Sequence, residues 1–247
     1  MTSTLRLYFS QLLKCGEEAE LSEAQSHYLR NVMKLADGEC FRGFDGVSGE
    51  YELTLRCLSK KHCVGFVGKQ LRNIVSVPDI WLLFAPVKKD QTDYIVQKAV
   101  ELGVSQLLPV ITRRTNNERV RRDRMVAQSI EAAEQCRRLD LPTVSEAQPL
   151  EKLLQNWDAS RHLYFMDETR NGQPVAQAFA QAPVPAAILI GPEGGFAEDE
   201  LKLLRSLDFA QGVTLGPRIL RAETAAAAAL SCWQALSGDW TDYTENK

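Results

Sequence analysis

Apolar and polar positions follow two different rhythms along the chain, and the change falls near Pro78. Up to about residue 72 the apolar positions come in short pieces at 5–9, 39–44, 49–55 and 63–67, separated by glycines. Alternation of this kind with glycine at the breaks predicts the strands of a small β-barrel. Between the first strands, Ser22 is placed to cap a short helix with Leu29, Val32 and Met33 on one side. Asp45-Gly46 reads as a hairpin turn. Residues 73–78 form the expected linker, because Pro78 disfavours helix at Val77. The expected division is therefore 1–72 and 79–247.

Past the linker, 80–85 is an unbroken apolar run of the kind found in parallel strands covered on both faces. Within 91–102, Ile95, Ala99 and Leu102 share a helical face, Gly103 can end the helix, and 104–111 reads as the next strand. The same alternation continues with a strand at 162–166, a helix near 175–180 and a strand at 187–190. A helix starting near Glu198 has acids in its first turn and Leu201, Leu204 and Leu207 on one face, and leads to a strand at 213–215. The predicted domain is α/β with a mostly parallel sheet. The last helix, 223–233, is rich in alanine, which favours helix and also permits close backbone approach.

Charge narrows the picture. The 247 residues carry 29 basic and 32 acidic side chains, which excludes a uniformly basic nucleic-acid coat. Any such contact must come from a local patch. The densest is 113–124, with Arg113, Arg119, Arg121 and Arg122, just after the carboxyl end of a strand, where such sheets bind ligands. A charge run is commonly a solvated face, and this one holds two acids, but arginine at this density favours phosphate recognition. In the N-terminal piece, Arg6, Arg30 and Lys34 are candidate phosphate contacts as a group and ordinary surface taken singly. On the following helix, Glu131, Glu134 and Gln135 form either an exposed salt-bridged face or the lining of a cleft. The six cysteines form no C-x-x-C pair and the three histidines are far apart, so no metal site is expected, and a reducing cytoplasm is the natural compartment. No apolar run approaches the length of a membrane span, and no membrane association is expected.

Two glycine loops carry the candidate chemistry. In 188–196, Gly191 lets the chain leave a strand, and Gly194-Gly195 removes side chains so that backbone groups can approach a ligand. In 215–224, Leu215-Gly216 again ends a strand and is followed by Arg218, Ile219, Leu220 and Arg221. Neither loop is a P-loop or a G-x-G-x-x-G fingerprint. Facing each other, they would enclose a flat apolar group between backbone walls.

Together these two stretches resemble the signature of the SPOUT-class RNA methyltransferases, in particular the 16S rRNA uridine N3-methyltransferase (RsmE) family. Residues 98–104 and 131–136 add to the match, which covers most of the chain. The resemblance implies a SPOUT-type α/β domain with a mostly parallel sheet and a C-terminal trefoil knot, preceded by a small PUA-like β-barrel. It also implies a homodimer, S-adenosylmethionine as cofactor, and 16S rRNA or the small ribosomal subunit as partner. The cofactor would lie against Leu189, Ile190, Gly191, Pro192, Glu193, Gly194 and Gly195, and against Leu215, Gly216, Arg218, Ile219 and Leu220, with Thr224 in the helix behind. The reaction would be methylation of uridine N3, on a base that is unpaired or flipped out. Arg114 and Arg221 are the candidates for holding phosphate or developing negative charge, while Glu131, Glu134 and Gln135 are candidates for orienting the base and accepting a proton. The chain departs from the family's pattern at Arg113-Arg114-Thr115, where relatives more often have Glu-Arg-Ser or a close variant, and at Arg137, where glycine is common. Two rival readings remain: a non-catalytic RNA-binding ribosome assembly factor, and a SPOUT methyltransferase acting on another RNA position.

Overall fold

In the computed structural model, which describes residues 5–59, 62–116, 120–180 and 182–241, the alternating N-terminal pieces form one curled sheet. Its strands are β1 (Arg6–Tyr8), β2 (Glu18–Glu20), β3 (Cys40–Phe44), β4 (Glu50–Cys57) and β5 (Cys63–Arg72), in the order β1-β3-β4-β5-β2. β1 and β3 are parallel and the other pairs antiparallel. β2 escapes the sequence pattern because Glu18-Ala19-Glu20 has one apolar residue and no period to read. Asp45 takes the turn after β3, its carboxylate accepting the N–H groups of Leu13, Val47 and Ser48. Ser22 caps α1 (Glu23–His27) in a reciprocal arrangement with Gln25. The expected apolar face is only partly realised. Leu29 is fully buried, but a π-helical turn over Tyr28–Val32 ends the segment, and Val32 and Met33 lie exposed at its end.

The chain divides into two units, the first comprising residues up to Ser76 together with Ala133–Leu141. The second piece is held by Arg6. Its guanidinium donates to the carbonyls of Ala133 (3.0 Å), Glu134 (2.8 Å) and Arg138 (3.1 Å), and to Glu50 Oε1 (2.6 Å). Arg6, expected among the RNA contacts, is instead buried, with its donors taken by these acceptors. Glu50 is fully buried and also receives Arg72 Nε at 2.8 Å and Arg42 at 3.4 Å. Burial alone would push the Glu50 carboxyl up, but hydrogen bonds from Arg72 and Arg6 outweigh it and hold the group below the ordinary carboxylate range. Arg137 follows the helix that ends at Cys136 and adopts φ 66°, the left-handed region that favours glycine.

The second unit begins at Val77 and contains β6 (Ile80–Phe84), α2 (Lys89–Glu101), β7 (Gln106–Ile111) and most of α3 (Arg122–Cys136). After the 133–141 excursion come β8 (Thr143–Val144), β9 (Gln148–Pro149), α4 (Leu150–Gln155), β10 (His162–Met166), β11 (Gln173–Pro174) and α5 (Val175–Ala178). The chain then continues through β12 (Ala186–Ile190), α6 (Glu198–Ser206), β13 (Ala210–Thr214) and α7 (Ala222–Ser237). The main sheet runs β11-β13-β10-β12-β6-β7-β8, with every pair parallel, as the unbroken apolar runs predicted. Alternate residues of each strand enter two cores. Leu82, Phe84, Ile188 and Ile190 pack with α2 and α7 on one face, while Leu83, Phe165 and Leu189 pack with α4 and α6 on the other. The alanines of α7 do allow close approach, since Ala225, Ala226 and Ala229 are buried in the core shared with α2. At the end of α2, Gln234 donates to Leu102 O at 2.6 Å, and a Cβ on Gly103 would lie 2.8 Å from the same amide. Among the described residues no helix is long and apolar enough to cross a membrane.

Two measurements follow from the first unit. Glu50→Gln is expected to cost on the order of 3 kcal/mol at neutral pH, because it leaves buried guanidinium charge without its counter-ion. Since the folded-state pKa of Glu50 lies below the ordinary 4.5, its contribution is present above that value and is lost as pH falls through the folded value. In urea melts the gap between wild type and Glu50→Gln should therefore narrow as the medium is acidified; a constant gap would show that the ion cluster is not its source. Arg137→Gly should stabilise the protein by about 1 kcal/mol by relieving the left-handed backbone cost. An unchanged or lower midpoint would contradict this.

Candidate active site

β10 lies between β13 and β12 in the sheet, so three parallel strands deliver their carboxyl ends side by side. The loops that follow, 167–172, 191–197 and 215–221, enclose a cavity of about 650 Å³. This is the edge at which open parallel sheets bind ligands. Met166, Ile190, Val213, Leu215 and Leu220 give it apolar surface, and the Gly191–Gly195 segment lines it with backbone. Lys88, Arg170, Arg218 and Arg221 bring positive charge to the same cavity, against Asp167, Glu168 and Glu193.

Carboxylates hold the loops in place. Glu168 Oε1 accepts the Phe196 N–H at 2.9 Å, and a Cβ on Gly195 would stand 2.3 Å from that oxygen. Gly195 has φ 68°, so both its backbone region and the carboxylate above it call for glycine. A Cβ on Gly191 would meet the buried Phe196 ring at 3.0 Å, whereas one on Gly216, at φ 103°, would meet nothing within 4 Å. Burial by itself would raise the Asp167 carboxyl, but hydrogen bonds from Arg205 (2.7 Å) and Thr169 (2.6 Å) hold it below the usual range. It thus remains charged at neutral pH and organises the 167–172 turn. Glu200, buried at the start of α6, accepts Arg113 N–H at 2.9 Å with one oxygen and Ala197 N–H at 2.8 Å with the other. It ties the loop after β7 to the loop after β12. Arg114 donates to Gly194 O at 2.9 Å, which ties the exposed guanidinium to the glycine loop.

Of the cofactor residues expected from sequence, Ile190, Gly191, Pro192, Glu193, Gly194, Gly195, Leu215, Gly216, Arg218, Ile219 and Leu220 line the cavity, and so does Arg221. Leu189 does not. Strand alternation turns it into the core on the opposite face from Ile190. Thr224 is also off the wall, because helical spacing presents Ala222 and Ala225 there instead. Glu131 is exposed on α3 and is not part of the lining. Glu134 belongs to the first unit, where its carboxylate accepts Tyr8 N–H at 2.9 Å, and Gln135 is exposed in the same unit.

Several of the arginines are engaged. Arg113 pairs with Glu151 and Asp199, each at 2.7 Å, and Arg121 pairs with Asp123 at 2.6 Å. Arg122 donates to Val144 O at 2.7 Å, and Arg30 donates to Ser59 O at 3.1 Å. Lys34 is exposed, and Arg119 lies outside the described residues.

Sequence reasoning missed the third loop. Asp167, Glu168 and Arg170 follow β10 directly, and the carboxyl-end rule that singled out the other two loops applies to this strand as well. What hid it was the absence of a glycine at the exit from the strand.

Residues 75–234 match a family model described as an RNA methyltransferase domain. The chain is 33% identical over 224 residues to a ribosomal RNA small subunit methyltransferase E of Synechocystis sp., covering 87% of this chain and 72% of the relative. It is 30% identical over 249 residues to the protein of that name from Bacillus subtilis, with 92% and 95% covered. Among solved structures, a ribosomal RNA small subunit methyltransferase E from Neisseria gonorrhoeae, bound to S-adenosyl methionine, superposes with a TM-score of 0.87. That pair is 28% identical, and the match covers 96% of this chain and 99% of the other.

The Glu168–Gly195 contact can be tested by a double-mutant cycle. Gly195→Ala should cost about 1–3 kcal/mol in thermal or urea melts, from strain and from displacement of the carboxylate. With Glu168→Ala already in place, the same change should cost measurably less. Strict additivity would mean that the two residues do not act on each other.

Proposed function

The chain belongs to the ribosomal RNA small subunit methyltransferase E family, within the RNA methyltransferases, and on that premise we propose that it transfers a methyl group from S-adenosylmethionine to N3 of a uridine in 16S rRNA. The observation that carries this reading is the cavity between three strand ends, walled by the backbone of 190–195 and 215–220. Its volume of about 650 Å³ falls in the ~300–1,000 Å³ range of small-molecule sites. The group also fits by its chemistry. Side-chain-free stretches at Gly191 and Gly194-Gly195, which line the cavity with backbone, suit a flat heterocycle and its edge hydrogen bonds. When bound, S-adenosylmethionine supplies a methyl group already activated on a sulfonium centre.

The rest of the task falls to this chain's own residues. They must hold an unpaired or flipped uridine with N3 facing the cavity, because pairing masks that atom. Arg221, on the cavity wall, and Arg114, bonded to the glycine loop, are assigned to phosphate or to the negative charge that develops on the uracil oxygens. Arg30, Lys34, Arg121 and Arg122 are assigned to the RNA backbone, where surface pairs such as Arg121 with Asp123 cost little to exchange for phosphate. A homodimer, the trefoil knot and a cytoplasmic location, with the small ribosomal subunit as partner, belong to the same reading.

Isothermal calorimetry with S-adenosylmethionine and its demethylated product is expected to give saturable binding; none at millimolar ligand would sink the proposal. Mass-spectrometric mapping of small-subunit rRNA treated with purified protein should show one added methyl at a uridine N3. Arg114→Ala and Arg221→Ala should each lower methyl transfer by on the order of tenfold to a hundredfold while leaving the melting temperature unchanged. Full activity in both variants would remove those roles.

A further inference from the structure

None of the six cysteines lines the cavity between the strand ends, but two of them meet elsewhere. Cys57 ends β4, Cys63 begins β5, and the two are register partners at the turn end of this antiparallel hairpin. Their main-chain N–H groups point away from the pair. Cys57 N–H donates to Asp37 Oδ1 at 2.7 Å and Cys63 N–H to Ser26 Oγ at 3.3 Å, whereas at the next position Leu58 N–H donates across the hairpin to His62 O at 3.0 Å. Cys57 and Cys63 therefore form a non-hydrogen-bonded pair, in which Cα atoms stand about 4.5 Å apart and side chains approach each other. That spacing falls within the roughly 4.4–6.8 Å that a disulfide spans. The thiols already touch, Cys63 Sγ donating to Cys57 Sγ at 2.8 Å.

The pair is set apart from the other cysteines and is unequal in access. Cys40 has Thr54 as its register partner, Cys136 and Cys232 lie in helices, and Cys15 is exposed outside any strand. Cys63 is fully buried in the core of the first unit, while Cys57 is half-buried at its margin. A reagent reaches Cys57 first, and Cys63 waits behind it.

We propose that Cys57 and Cys63 are an oxidisable pair, closed by a small-molecule disulfide into an intrachain bridge that staples the turn end of β4 and β5. Cys57 attacks one sulfur of the small disulfide and forms a mixed disulfide, and the first small thiol leaves with the Cys57 proton. Cys63 then attacks the Cys57 sulfur, and the second small thiol leaves with the Cys63 proton. Two cysteine thiols are oxidised and one small disulfide is reduced to two thiols. Burial and the Cys63 thiol push Cys57 up to about 11, so little thiolate is present at neutral pH and closure is slow. By the same token no stable Cys57 thiolate favours the open form. The bridge fastens the turn that Arg30, in the Tyr28–Val32 segment, holds through Ser59 O. The inference is independent of the methyltransferase reading.

The test incubates the full-length protein with oxidised glutathione for several hours at about pH 8, blocks remaining thiols with iodoacetamide and maps tryptic peptides without reduction. Cleavage after Arg56, Lys60 and Lys69 separates the two cysteines, so a bridge appears as two linked peptides that dithiothreitol separates. The expected product carries this link and four alkylated cysteines. Cys63→Ala should instead accumulate glutathione on Cys57, because the second attack is lost. In thermal melts the bridged protein should unfold about 5 °C higher than the reduced one, as closure of a short loop predicts. Six alkylated cysteines in wild type, glutathione retained on Cys57, or links formed through Cys15 or Cys40 in place of this one would each overturn the proposal. An unchanged melting midpoint in the bridged protein would overturn the staple. Cross-link mapping needs only the wild-type protein, so it decides the pair even if Cys63→Ala fails to fold.

Discussion

Every residue of the five-residue strand β12 is buried, and the strand is hydrogen-bonded on both edges, to β6 and to β10. A strand in that position has no face left for polar chemistry. Its chemistry is displaced to its ends. Because the neighbouring strands run parallel to it, their ends coincide with its own, and the loops after β10, β12 and β13 converge on one cavity. The apolar core and the polar site are thus two consequences of one pairing arrangement.

Loops rich in glycine are entropically costly to hold in one shape. Here the cost is met by carboxylates aimed at backbone N–H groups. Glu168 takes Phe196 N–H, Glu200 bridges Arg113 and Ala197, and Asp167 closes its own turn with Arg205 as counter-ion. Each of these bonds charge to amide and is stronger than a neutral pair. The glycine loop thus presents backbone to the cavity, and Asp167 and Glu168, which also line it, help to hold the loops there. In the first unit Glu50 plays a comparable part among Arg6, Arg42 and Arg72, and it accounts for the burial of an arginine on a strand of a small sheet.

Much was legible in the sequence. The unbroken apolar runs at 80–85 and 187–190 pointed to parallel strands covered on both faces, and the strands are found over Ile80–Phe84 and Ala186–Ile190. Glycine at 191, 194, 195 and 216 marked the cavity walls, because the lack of a Cβ is a property of the residue itself. The Ser22 cap and the end of α2 at Gly103 were readable for the same reason, as interactions confined to a few neighbouring residues.

What only the tertiary structure decided was which partner each charge takes. Arg6 and Arg30 look alike in sequence, yet one is buried against Glu50 and three carbonyls while the other is half-buried and donates to Ser59 O. Glu134 and Glu168 are both plausible site acids by type. The first accepts an N–H from β1, and the second fixes the glycine loop. These partners are 44 to 132 residues apart for Arg6 and 28 apart for Glu168. Local period, propensity and turn chemistry act within a few residues and determine elements. Ion pairs and long-range hydrogen bonds depend on which elements meet, and that is settled only when the sheet order is.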